Sequence, residues 1–72
     1  MAQLSSSQYD ALERAIVDRQ RIAVMRRGTE YIVIPVSIGL RGGKETIEAL
    51  HPTTGERLTL VIDDVEEIEV VK

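Results

Sequence analysis

The hydrophobic period changes once along this chain, near Gln20, which rules out an all-helical or an all-strand fold. Ahead of the switch, SSSQYDALERAIVDRQ sets Tyr9, Leu12, Ala15, Ile16 and the stem of Arg19 on one helical stripe. Behind it the side chains alternate. Ile22 and Val24 oppose Ala23 and Met25 along RIAVMRR, and the longer run EYIVIPVSIGL follows. The pattern predicts a helix at about residues 7–20 and a β domain over about 21–72, and no linker or repeat separates them. The expectation is a single domain, 1–72.

The helix opens on serines, which accept hydrogen bonds from the free amides of a first turn. Ser7 with Asp10 three residues on approximates a capping box. Asp10 and Glu13 lie early and Arg19 and Arg21 late, as the helix dipole favours.

Turn signals divide the β region. Gly28 and Thr29 mark a tight turn into the long run. There, strict alternation sets Ile32, Ile34, Val36, Ile38 and Leu40 on one face and Tyr31, Val33, Pro35, Ser37 and Gly39 on the other. Pro35 donates nothing to a ladder and Gly39 packs nothing, so this strand is expected to bend and to serve two sheets. Gly42-Gly43 supplies the positive φ angles of a two-residue hairpin. HPTTGE makes another turn, RLTLVI alternates with Leu58, Leu60 and Ile62 on one face, and Asp63-Asp64 breaks the run before Ile68 and Val70 resume it. A helix followed by five short strands is the order of a small SH3-like or Sm-like barrel, mainly β, in which closure removes two hydrophobic edges.

Composition narrows the function classes. Of the 72 residues 43% are hydrophobic and 29% charged, a globular balance with no apolar stretch long enough to cross a bilayer. There is no cysteine, hence no disulfide framework and no thiolate zinc site, and the start MAQLSSSQ lacks a secretory pattern. A cytoplasmic, soluble protein is the expectation. Phe and Trp are absent and only Tyr9 and Tyr31 supply aromatic bulk, so the stacking platforms of single-strand binders are missing. A chain this short buries only about 60% of its unfolded surface. Self-association is therefore expected.

Charge is polarised. Residues 1–44 carry seven Lys/Arg against four Asp/Glu, a net of +3, and residues 45–72 carry two against eight, a net of −6, together the −3 of the chain. The basic residues Arg19, Arg21, Arg26, Arg27, Arg41 and Lys44 gather near the helix end and two turns, a set able to track phosphates. The same arginines, paired with carboxylates, would form only a solvated rim. Asp63, Asp64, Glu66, Glu67 and Glu69 form an acidic run without the glycine of a metal loop, and read as charges guarding a strand edge. Opposed halves also suit head-to-tail contact between copies. His51, the lone histidine, has no second ligand or nucleophile motif beside it and is expected to order the HPTTG turn. RGGKE lacks the first glycine and the Ser/Thr of a phosphate-binding loop.

Read as a string, LERAIVDRQRIAV followed by YIVIPVSIGLRGGKETIEALHPTTGERLTLVIDDVEEIEV resembles the WYL domain of bacterial transcription regulators, from Leu12 to Val70. Ala15-Ile16 matches the family's helix pair and Val33-Ile34-Pro35 its V-x-P. Ala49 and Gly55-Glu56 match the segment after the name motif, and Ile62-Asp63 with Val65 matches L-D-x-I. The resemblance implies an Sm-like SH3 barrel. Two departures fall on the family's ligand positions: Glu45, Thr46 and Ile47 stand at Trp-Tyr-Leu, and Leu58, Leu60, Val61 and Asp64 stand where its arginines and phenylalanine would be. The layout is also similar to the ring-forming bacterial RNA chaperones of the Sm class, whose Lys-His pair is replaced by Ile62-Asp63-Asp64.

The expected function is therefore a non-enzymatic, self-associating regulatory module that binds RNA, DNA or a nucleotide-type ligand. Arg26, Arg27, Arg41, Lys44 and Arg57 would serve as phosphate partners that do not read bases. The alternative is a protein-interaction or assembly module with no nucleic acid affinity. No cofactor, metal or membrane partner is expected, and no nucleophile, base and orienter occur at a usable spacing.

Overall fold

The computed structural model describes residues 4–71; residues 1–3 and 72 of the expected domain lie outside the described residues. A helix, α1 (Ser6–Asp18), precedes strands β1 (Arg21–Arg26), β2 (Thr29–Arg41), β3 (Lys44–Leu50) and β4 (Arg57–Val61). One 3-10 turn (Ile62–Asp64) then leads into β5 (Val65–Val71). All pairings are antiparallel, in the order β4-β3-β2-β1-β5. The fold is a small five-stranded sheet of the SH3-like, Sm-like barrel kind with an N-terminal helix.

The helix begins earlier than Ser7. Ser5 is the N-cap: its Oγ accepts from the Gln8 amide at 3.3 Å while Gln8 Oε1 accepts from the Ser5 amide at 3.2 Å. Ser5-x-x-Gln8 is a complete capping box, and the longer glutamine side chain reaches back where the Asp10 carboxylate is too short. With the helix spanning Ser6–Asp18, no acidic residue falls in its first turn and no basic residue in its last, so the expected support from the dipole is absent. The stripe itself is as read. Leu12 and Ala15 are fully buried and Tyr9 and Ile16 pack against the core, whereas Arg19 is exposed. Through this face α1 contacts β5, β2 and β1.

β2 is the strand on which the architecture turns. Its first residues, Thr29–Val33, pair with β1, and Ile34 through Arg41 pair with β3. A register shift between Pro35 and Ser37 leaves Val36 as an extra residue. That bulge corrects the single-face reading. Val33 and Pro35 are buried ahead of it and Ile38 packs on the core behind it, while Ile32, Val36 and Leu40 are exposed. One inserted residue reverses the phase of a period-two pattern.

The turn into β2 also differs slightly: its central residues are Arg27 and Gly28, with φ of 49° and 77°, and Thr29 already belongs to the strand. Two positive φ values define the hairpin turn whose twist suits its flanking strands. Gly42-Gly43 makes the second such turn, as expected. Around them the core gathers Leu12, Ile22, Val24, Val33, Ile47, Ala49 and Val65, none more than 1% exposed. No aromatic side chain belongs to this buried set among the described residues. Ladder closure does not occur: among the described residues β4 and β5 do not pair with each other, so both remain edges. The 3-10 turn spans the gap and contacts β3.

Candidate functional site

The five cations are set by three turns. Arg26 ends β1, where a register shift between Met25 and Arg26 brings it opposite Val65, next to the end of the 3-10 turn. There Asp64 receives two arginines: its Oδ2 lies 3.8 Å from Arg26 Nη2 and its Oδ1 lies 3.7 Å from Arg27 Nη2. The Arg27 side chain is 75% exposed, that of Arg26 32%. Arg26 Nε is buried and meets no acceptor among the described residues, so one donor of this guanidinium stays unsatisfied. The Gly28 amide donates to Glu66 Oε1 at 3.0 Å, tying the turn to the start of β5.

Exposed ion pairs of this kind contribute about 0–1 kcal/mol. A phosphate arriving at the turn therefore exchanges one weak partner for another, with Arg27 outermost. Glu30, Glu67 and Glu69 lie farther out on the same three strands, around Ala23 and Met25, and make that neighbouring surface repel polyanions. The cationic footprint at this end is confined to the turn.

Arg41 and Lys44 flank the other hairpin, at the far end of β2. Arg41 Nε lies 3.7 Å from Glu48 Oε1, and Glu48 Oε2 accepts from the Thr59 hydroxyl at 2.8 Å, a polar chain across three strands. Lys44 is exposed and pairs with no carboxylate among the described residues. Arg57 opens β4 opposite Leu50, exposed and likewise without an ion pair among the described residues. Arg26 and Arg27 thus share one corner, Arg41 and Lys44 a second, and Arg57 stands apart.

His51 orders its turn, as read. Its Nδ1 accepts from the amides of Thr53 and Thr54 at 3.2 and 3.3 Å, and its backbone pairs with Glu56 and Gly55. Of the acidic run, Asp63 and Asp64 lie in the 3-10 turn, and Glu66, Glu67 and Glu69 lie exposed along β5, an edge strand. No group of three metal-ligating side chains occurs among the described residues.

Sequence reasoning missed two contacts. One is Asp64 as the shared partner of Arg26 and Arg27, which a reading of Asp63-Asp64 as a strand break did not suggest. The other is Tyr9, whose hydroxyl donates to Glu45 Oε1 at 2.8 Å. Hydrogen bonding to Glu45 foremost, then burial and the charges of Glu45 and Asp63, raise the Tyr9 pKa above the ordinary tyrosine value. Glu45 begins the segment that stands at the Trp-Tyr-Leu positions; of its three residues Ile47 enters the core, Thr46 is buried with an unpartnered hydroxyl, and Glu45 faces out to the helix.

No protein-family model matches the chain, and no curated protein sequence does. Among solved structures it is similar to Proteasome accessory factor B/C (PafBC) of Arthrobacter aurescens, with a TM-score of 0.74 over 97% of this chain at 18% sequence identity. The chain spans 12% of the length of that PafBC chain. The likeness is one of fold.

Proposed function

We propose that this chain is a non-enzymatic WYL-like, Sm-like binding module of the regulatory kind, cytoplasmic and self-associating, that takes nucleic acid or a nucleotide-type ligand by its phosphates. The observation that carries the reading is the Arg26–Asp64–Arg27 corner, where two guanidiniums converge on one exposed turn. Arg41, Lys44 and Arg57 are secondary phosphate partners, since they lie on other turns. The fold likeness to part of PafBC supports the barrel-like scaffold on which this reading rests. Among the described residues no helix is long and apolar enough to cross a membrane. His51 Nδ1 accepts from two turn amides, which gives this side chain a structural part in its turn.

The test is fluorescence anisotropy of short RNA and DNA oligonucleotides across a salt series, with Arg27→Glu as the main variant. Arg26→Glu is a weaker choice because Arg26 is the less exposed of the two, so a carboxylate there would face Asp64 with less solvent to screen it and would disturb the fold as well. Loss of binding in Arg27→Glu supports the corner; unchanged binding removes it from the site.

A second reading rests on the two unpaired edges, β4 and β5. In it the chain is an assembly or protein-interaction module without nucleic acid affinity. Light scattering at low and high salt, with and without RNA, separates the two: an oligomer blind to RNA supports assembly alone.

A further inference from the structure

Between the end of α1 and the middle of β2 lies a cleft of about 510 Å³, lined by Ile16, Arg19, Ile34, Pro35, Val36 and Leu50. Its volume falls within the ordinary range of small-molecule sites. Five of the six lining residues are apolar and the sixth is a cation, with no carboxylate among them. Arg19 takes part in no salt bridge among the described residues. It is also the helix C-cap, held left-handed at φ 54° and ψ 43°. Helices that end this way usually place glycine there, because other residues strain. Here the strained position carries a guanidinium at the mouth of an apolar cleft. On the opposite wall, the Val36 bulge breaks the β2 ladder next to Pro35, which has no N–H to offer. Arg57, directly across the β3–β4 ladder from Leu50, leaves the same face of the sheet and adds a second positive charge nearby.

We infer that this cleft binds a small amphipathic monoanion with an aliphatic body and a carboxylate head, the body against Ile16, Ile34, Val36 and Leu50 and the head on Arg19. The lining selects this class over a nucleotide. Apart from Arg19 it presents no side-chain donor or acceptor to match the polar edge of a nucleobase, whereas an alkyl chain asks for none. The site is distinct from the Arg26–Arg27 corner and is read by a separate measurement.

The experiment is a titration of the labelled protein with sodium octanoate, followed by amide proton–nitrogen correlation spectra, with 1-octanol, acetate and AMP as comparators. Octanoate is expected to shift the amides of Ile16, Ile34, Val36 and Leu50 together, octanol to bind roughly tenfold more weakly, as loss of one charged hydrogen bond implies, and acetate, which lacks the apolar body, to give no saturable shifts there. Arg19→Gln should bring octanoate down to the level of octanol, and Arg19→Lys should restore most of the difference. Val36→Asp, at an exposed bulge position, should abolish binding with the fold intact. Equal affinity for octanol and octanoate, tighter binding of AMP at these amides, or no shifts there would overturn the assignment. So would a Val36→Asp variant that loses self-association when octanoate never bound, since the cleft would then belong to a second copy.

Discussion

Arg27 Nη2 lies 3.7 Å from Asp64 Oδ1 across 37 residues of sequence, and its neighbour Arg26 meets the other oxygen of the same carboxylate. One anion therefore holds two cations in place and also competes with any phosphate for them. Asp64→Asn removes the competitor while leaving a side chain that can still accept. It should strengthen oligonucleotide binding about two- to fivefold, the worth of an exposed ion pair, in an anisotropy titration at low salt. Weaker binding in this variant would mean that Asp64 organises the arginines more than it masks them.

Arg27 also sits in the left-handed region, φ 49°, ahead of Gly28. Asn-Gly is the favoured pair for such a turn, and asparagine tolerates this backbone better than arginine does. Arg27→Asn should raise stability by about 0.5–1 kcal/mol in urea unfolding and lower oligonucleotide affinity in the same preparation. Opposite signs in the two assays would place the strain at a working residue.

Tyr9 should titrate above the usual tyrosine value, because its hydroxyl bonds Glu45 and ionisation would set two negative charges together. Its folded-state pKa is raised, so the bond's contribution is fully present below the unfolded value of about 10 and is lost as the pH rises through the folded value. Ultraviolet titration of Tyr31→Phe isolates Tyr9. Glu45→Gln should lower the midpoint, and wild-type stability should fall at alkaline pH more than that of Tyr9→Phe.

Thr46 is 2% exposed and its hydroxyl has no partner among the described residues. Its Oγ1 faces Gly39 of β2, lying 3.5 Å from where a side chain there would begin. Thr46→Val should therefore stabilise the fold by about 1 kcal/mol, measured by denaturant midpoint at constant slope. A loss of that size would reveal a hydrogen bond to bound water at this position.

Much of the fold was legible along the chain. Pro35 and Gly39 announced a strand shared between two partners, and β2 does pass from β1 to β3 between Val33 and Ile34, just before Pro35. Which of its side chains face inward was not legible, because the Val36 bulge inserts a residue that alternation cannot register. The helix stripe was readable from Leu12 and Ala15, its start was not, because three consecutive serines all offer a cap and only Ser5 finds Gln8 three residues on. The cations themselves were visible in the sequence. Their grouping was not: Asp64 reaches Arg26 and Arg27 only through the register shift at Met25 and the 3-10 turn, both products of tertiary packing.

The most direct test of the central claim is the salt dependence of binding to a short single-stranded RNA, compared between the wild type and Arg27→Glu. The account predicts binding that weakens as salt rises, and a variant that binds more weakly with a log–log slope smaller by about one. No binding at low salt, or identical slopes for the two proteins, would contradict it.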